Sequence, residues 1–307
     1  MRLIRGFDNL PSSLRGGAVT IGNFDGVHRG HQRMLAELRA RADELGGPAL
    51  LLSFEPHPLE YLHPEKAPPR ITRLRDKLLA LRGCGLDALI CLRFGPRLAA
   101  LEAEAFVRRV LHDGLEARYL LVGDDFRFGR GRGGDYALLK GLAPRYGLAL
   151  GRMDTVAEAG GRISSTRIRE RLAAGELAEA ERLLGRPYAI SGRVSHGQRL
   201  GRELGFPTLN LPFIGMRPPL RGIFTVRVHG LGAPREGVAS IGTRPTVNGR
   251  GTVLEVYLLD FDQQVYGRHV RVEFLHWLRD EQRFDSLEAL RAQIAADVAA
   301  ARHYFTA

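Results

Sequence analysis

Apolar residues in the first half of the chain come in short runs separated by amphipathic stretches. The runs Ala18–Ile21, Ala49–Phe54, Ala88–Phe94, Tyr119–Val122 and Leu148–Met153 read as strands. Helical spacing lies between them at His31–Leu45, Leu74–Arg82, Ala103–Leu111 and Tyr136–Tyr146. This alternation predicts a parallel sheet covered on both faces, with ligands held beyond the C-terminal ends of the strands. The pattern changes near Pro187. Ala189–His196, Gly222–His229, Val238–Thr243, Val253–Asp260 and His269–Leu275 are β-branched or alternating, with glycine-rich or proline-rich turns between them, and predict a mostly antiparallel barrel. A helix closes the chain, capped by Asp285 or Ser286, with Leu287, Leu290, Ile294 and Val298 as the stripe that packs on the barrel. Short helices at Thr166–Leu172 and Leu177–Leu184 precede a junction at Leu183–Pro187. The chain is therefore expected to divide into an α/β domain over 1–185 and a barrel domain over 186–307.

The segment Thr20–His31 reads TIGNFDGVHRGH. A strand end breaks into a turn carrying Gly22, Gly26 and Gly30, then sets His28 and His31 three apart at a helix opening. That spacing places both imidazoles on one side of the first turn, beside N–H groups that lack intrahelical partners. The combination suits phosphate, because the helix N-terminus carries partial positive charge and each imidazole can donate a hydrogen bond. A His-x-x-His pair can equally be an ordinary surface pair.

Composition changes little in this picture. With 307 residues, 44% hydrophobic and 26% charged, the chain has the makeup of a globular protein of about two domains. It contains no apolar run long enough for a membrane span, and MRLIRGFDNL has no signal-peptide core, so a cytoplasmic protein with no membrane partner is expected. Cys84 and Cys91 are expected to be inert thiols. The net charge of +11 decides less: it suits nucleic acid or anionic small substrates such as nucleotides, and the arginines are scattered rather than gathered in a basic tail or helix. Gly129, Gly131 and Gly134 fit GxGxxG with Asp154 downstream, but DDFRF separates them from the strand end, which argues against a dinucleotide fingerprint.

In the second half, Leu204–Leu211 reads LGFPTLNL. Thr208 and Asn210 are two apart, so on a strand they share a face and offer hard oxygens for Mg²⁺; the segment also reads as a plain turn entering a strand. Glu255 lies between apolar Leu254 and Val256. An inward Glu255 would occupy the face opposite to Leu254, Val256 and Leu258 and line the barrel's pocket, while a strand glutamate also reads as a solvated outer-face residue. Phe224, Tyr257 and Phe274 read as strand-core positions, unlike the exposed aromatics of a nucleic-acid-binding barrel.

TIGNFDGVHRGH resembles the nucleotidylyltransferase superfamily, and ISSTRIR at Ile163–Arg169 is similar to its second signature. The likeness implies a Rossmann-like N-terminal domain in which His28 and His31 act on phosphates. It further implies that Gly22, Phe24, Gly30, Ser164, Ser165, Thr166 and Arg169 hold ATP, although the Ser-Ser-Thr run also serves to cap a helix. GDDFRFG at Gly123–Gly129 and FEPHP at Phe54–Pro58 resemble the flavin-adenylylating branch, which implies flavin contacts from Asp125, Phe126 and His57. Phe126 and Phe128 also suit a core, and His57 a stiffened loop. LGFPTLNL, SIGTRPTVNG at 240–249 and LEVYLLDFDQQVYG at 254–267 look like bacterial riboflavin kinase, with Leu209 at the third position of the family's Pro-Thr-Ala-Asn motif. That likeness implies Mg²⁺ at Thr208 and Asn210, with Glu255 as the base for the ribityl 5′-hydroxyl.

Together the two resemblances match the bifunctional bacterial riboflavin kinase/FAD synthetases. They imply riboflavin, FMN and ATP as substrates and FAD as product, and leave the oligomeric state open. A flavin-sensing protein that has lost catalysis would be expected to lack the histidine pair or the base. A nucleotidylyltransferase joined to a nucleic-acid-binding barrel would be expected to expose aromatics among its basic residues.

Overall fold

Ala18–Ile21 is buried at all four positions because it lies inside a six-stranded parallel sheet. The computed structural model describes residues 1–7, 10–158, 161–197, 200–213, 216–246 and 249–307. By contacts the chain divides into two compact units, 1–68 with 77–164, and 69–76 with 165–307.

The first unit begins with β1 (Arg2–Arg5) and β2 (Ala18–Ile21), followed by α1 (Arg29–Glu44), β3 (Ala49–Glu55) and α2 (Pro58–Leu62). Helix α3 (Leu74–Leu81) spans the division, and β4 (Ala88–Arg93), α4 (Pro96–Ala99) and α5 (Ala103–Phe106) come next. The unit continues through β5 (Tyr119–Gly123), α6 (Tyr136–Leu142), β6 (Ala149–Met153), β7 (Ala157–Glu158) and β8 (Gly161–Arg162). The sheet order is β1-β4-β3-β2-β5-β6, all parallel. The strand sequence reverses direction between β2 and β5, the switch point at which open α/β sheets bind ligands. Helix α1 buries Leu35, Leu38 and Ala42 at helical spacing, and each fully buried leucine contributes about 1.5–3 kcal/mol.

Two predicted helices are shorter as α-helix than their spacing suggests. Ala103–Leu111 begins as α5 and continues as a π-helical stretch over Val107–His112. Tyr136–Tyr146 becomes α6 and then a 3₁₀ turn at Ala143–Tyr146, where Pro144 has no N–H to donate and Gly147 at φ 60° ends the run. Strand β1 was not expected. Its arginine-flanked Leu-Ile pair is too short to show a period, and pairing with β4 at the sheet edge is what makes it a strand.

The second unit contains α7 (Ser165–Ala173), α8 (Leu177–Leu184), β9 (Ala189–Arg193), α9 (Leu200–Glu203), β10 (Thr208–Phe213) and β11 (Gly222–His229). It ends with β12 (Arg235–Thr246), β13 (Gly249–Leu258), β14 (His269–Arg279) and α10 (Leu287–Thr306). The strands pair antiparallel in the order β10-β13-β12-β11-β14-β9, and a Ser195–Asn210 bridge brings the two edges together into a nearly closed barrel. Leu211, Phe224, Val226, Val256, Val272 and Phe274 fill its interior. The segment 69–76 is held against this barrel. Arg73 donates to Ser191 O and Pro212 O and lies over the Phe213 ring at 4.1 Å, while Asp76 Oδ1 accepts from Ser191 N at 3.0 Å. Burial pushes the Asp76 carboxyl above its usual range.

Ser286 rather than Asp285 caps α10, its hydroxyl accepting from Ala289 N. Leu290, Ile294 and Val298 face the barrel as expected, but Leu287, the first residue of α10, is 55% exposed. A buried ion pair locks the helix down, with Arg279 Nε and Nη2 reaching Asp297 Oδ1 and Oδ2 at 2.8 and 2.7 Å. Asp297→Ala leaves the guanidinium without its counter-charge and is expected to cost about 3–5 kcal/mol. Denaturant unfolding followed by the fluorescence of Trp277, the chain's single tryptophan, measures this.

Candidate active sites

Three motifs of the first unit follow three adjacent strands. GNFDG leaves β2, EPHP leaves β3 and GDDFRFG leaves β5, all at the C-terminal edge around the switch point. The turn after β2 holds Phe24 at φ 47° and Val27 at φ 44°, with Gly26 at φ 86° between them. A side chain on Gly22 would come within 2.9 Å of the Phe24 ring, so the glycine makes room for that ring. Phe24 is buried and stacks on His31 with ring centres 4.4 Å apart; His31 in turn stacks on His28 at 3.6 Å.

The histidines share one side of the helix opening, as their spacing predicts, but they are not equivalent. Helix α1 starts at Arg29, and His28 is its N-cap, with Nδ1 accepting from His31 N at 3.3 Å. A neutral His28 therefore carries its proton on Nε2. Gly30 is required by this arrangement, since a Cβ there would lie 3.2 Å from His28 Cε1 and Nδ1. The same Cβ would lie 3.7 Å from Ile163 O, which brings the start of ISSTRIR against the first turn of α1. Gly30→Ala should leave stability intact, because alanine favours helix, yet lower FAD formation about tenfold by displacing the His28 ring. Initial rates set beside an unfolding curve test this.

Ser164 ends the first unit, and Ser165 opens α7 in the second. Thr166 is exposed, whereas Ser165 and Arg169 are half-buried, and Arg169 Nε donates to Pro69 O at 2.7 Å. His57 caps α2, with Nδ1 accepting from Leu59 N at 3.1 Å and Glu60 returning a bond to His57 N. Asp125 is exposed and paired with Arg162 at 2.9 Å, while Phe126 is half-buried and stacks on Phe128. A hydrogen bond from Thr155 holds the Asp124 carboxyl below its usual range. GxGxxG proves to be packing: a Cβ on Gly129 would meet Ala103 Cα at 2.7 Å, and one on Gly134 would meet the Phe128 ring at 2.6 Å.

Sequence reasoning missed two residues at this turn. Lys77 from α3 is buried, with Nζ 2.6 Å from Asn23 O and 3.4 Å from Ser53 Oγ. Among the described residues the buried Asn23 Oδ1 has no hydrogen-bond donor, leaving an acceptor for a ligand's donor. Asn23 lies inside the TIGNFDGVHRGH motif, whereas Lys77 stands at no spacing that marks it, more than fifty positions away in an ordinary amphipathic helix.

In the second unit Asn210 stands opposite Glu255, Thr208 opposite Tyr257 and Ser240 opposite Glu255. Alternation puts all five side chains on one face. Glu255 does face away from Leu254, Val256 and Leu258, but it does not point into the barrel. Those three fill the interior, and Glu255 lines a cavity of about 300 Å³ on the barrel's outer face beneath α10. Tyr257 is likewise corrected from core to cavity wall, where it meets Phe206 edge-on; Phe224 and Phe274 are core as expected. Arg279, Glu281, Phe284 and Asp297 complete the polar and aromatic lining.

Asn210 Nδ2 donates to Thr208 O, and Gly197 leaves room for the amide, since a Cβ there would come within 2.4 Å of it. Leu209 stands opposite Val256 on the other face, so its departure from the family motif does not disturb the Thr208/Asn210 pair. In SIGTRPTVNG, Val247 and Asn248 lie outside the described residues.

Comparison with known proteins finds two matching families. A family model described as FAD synthetase matches residues 10–167, and one described as riboflavin kinase matches 184–305. A bifunctional riboflavin kinase/FMN adenylyltransferase of Escherichia coli K12 is 50% identical, covering 99% of this chain and 98% of its own. A protein of the same description from Pseudomonas fluorescens is 51% identical, covering 98% and 97%. Among solved structures, a Streptococcus pneumoniae chain described as a macrolide-efflux protein superposes with a TM-score of 0.81 at 29% identity, covering 98% of this chain and 99% of that one. Among the described residues no helix is long and apolar enough to cross a membrane.

Proposed function

The chain belongs to the bifunctional riboflavin kinase/FMN adenylyltransferase family, and on that premise we propose how its residues share the two reactions. It phosphorylates riboflavin to FMN and adenylylates FMN with ATP to give FAD and pyrophosphate. The adenylyltransferase function is assigned to residues 1–185 and the kinase to 186–307, which the limits of the two matched families support.

In the kinase, Glu255 takes the proton from the ribityl 5′-hydroxyl as that oxygen attacks the γ-phosphorus of ATP and ADP leaves. The observation that carries this reading is the Asn210–Glu255 pairing, which puts the two on one face of the sheet, with Glu255 and Thr208 lining the cavity. Mg²⁺ fits the donor set, because Thr208 and Asn210 offer a hydroxyl and an amide oxygen. When bound, the ion supplies neutralisation of phosphate charge.

In the adenylyltransferase, an FMN phosphate oxygen attacks the α-phosphorus in line and pyrophosphate leaves, with no covalent enzyme intermediate. His28 and His31 stabilise the charge on the phosphates, while Gly22, Phe24 and Gly30 shape the turn beneath them. Ser164, Ser165, Thr166 and Arg169 hold the triphosphate. Asp125, Phe126 and His57 border the flavin.

A cytoplasmic location belongs to the same proposal, supported by a cysteine content of two, Cys84 and Cys91. The partners are small molecules, with neither nucleic acid nor membrane among them. ATP labelled separately at the α- and γ-phosphates tests the scheme. FAD made from riboflavin should carry both labels and FMN the γ-label alone; FAD without the α-label would refute the adenylyl step.

A further inference from the structure

We propose that Lys77 is a positioning residue for adenylyl transfer, which rests on reading the 20–31 turn as the site of that reaction. The Lys77 side chain is 2% exposed and its Nζ lies 2.6 Å from Asn23 O. Ser53 of β3 reaches the same carbonyl through Oγ at 3.5 Å, and Lys77 reaches that hydroxyl at 3.4 Å. One helix and one strand thus converge on a single carbonyl inside the glycine turn. Burying an ammonium is unfavourable unless it is bonded, and a methionine would fill the same space without that penalty. The charge therefore has a use beyond packing.

The held carbonyl precedes the strained part of the turn. Phe24 and Val27 both adopt left-handed φ, at 47° and 44°, a conformation that side-chain-bearing residues keep only where their surroundings impose it. The turn's shape sets the Phe24 ring on His31 at 4.4 Å and, through it, the His31–His28 stack at 3.6 Å. Fixing Asn23 thus fixes the imidazoles. The ammonium also adds positive charge next to the turn, where phosphates carry negative charge. Lys77 does this without touching substrate, so its loss should lower kcat for adenylyl transfer while leaving KM for FMN and ATP nearly unchanged.

The test compares Lys77→Met, which keeps bulk but has no donor, with Lys77→Gln, which keeps a donor but has no charge. Both are assayed beside wild type and His28→Ala/His31→Ala. The expected result is a fall of about tenfold or more in kcat for FMN adenylylation, larger for Lys77→Met. Riboflavin phosphorylation by the same molecules should stay within about twofold of wild type, showing that the chain is folded. If Lys77→Met fails to fold, Lys77→Gln decides alone. A folded variant with wild-type kcat overturns the proposal, as does a loss shared equally by both activities. Retained activity in the histidine variant would instead overturn the site reading on which the proposal rests.

Discussion

His28→Ala/His31→Ala should convert riboflavin to FMN and stop there. Both side chains stand at the opening of α1 as one stacked unit, with His28 Nδ1 accepting from His31 N. Removing a preorganised donor to a developing phosphate charge costs about a hundred- to a thousandfold in rate. The pair works through one stack, so their losses overlap rather than multiply, and FAD formation from supplied FMN should fall by about a thousandfold. Loss of the His28 cap removes about 1 kcal/mol from α1, too little to unfold the sheet. Riboflavin phosphorylation in the same sample reports that the chain is intact. FAD formation at the wild-type rate would remove the histidines from the mechanism.

Glu255→Gln should give the mirror image. The amide keeps the volume of the side chain between Tyr257 and Ser240 in the cavity but cannot take the 5′-hydroxyl proton. General-base catalysis contributes about a hundred- to ten-thousandfold, so phosphorylation of riboflavin should fall by that factor. Supplied FMN should still be adenylylated at the wild-type rate. Since glutamine preserves packing, unfolding of the barrel should be unchanged, separating a chemical loss from a structural one. A phosphorylation rate unchanged from wild type would exclude Glu255 as the base.

How far the sequence reaches differs between the two halves. Strands β2 and β11 and helix α8 begin and end at the predicted residues, because each is a continuous apolar or clearly periodic run bounded by turn residues. Strand β1 escaped notice because only its pairing with β4 makes it a strand. The segment 69–76 is likewise silent in sequence. Its attachment to the barrel rests on Arg73 and Asp76 meeting backbone groups more than a hundred positions away.

At the sites, local motifs announced themselves: His28, His31 and Gly30 sit within one turn, and alternation correctly put Glu255 opposite to Leu254 and Val256. Alternation cannot say which face is interior. The packing of α10 decided that, placing Glu255 and Tyr257 on the outer wall of the barrel. Lys77 and Ser53 reach Asn23 from other elements, and no local spacing could have linked them. The GxGxxG run shows the opposite failure, a motif whose glycines answer to Ala103 and Phe128 rather than to a nucleotide.

The central claim, two separable sites acting in series through free FMN, is tested most directly by mixing the two inactive variants. His28→Ala/His31→Ala and Glu255→Gln are each incubated with riboflavin, ATP and Mg²⁺, separately and together, and the flavins are separated by chromatography over time. Alone, the first should accumulate FMN and the second should leave riboflavin almost unchanged. Together they should make FAD after a lag in which FMN rises and falls. FAD from either variant alone at the wild-type rate, or none from the mixture, would contradict it.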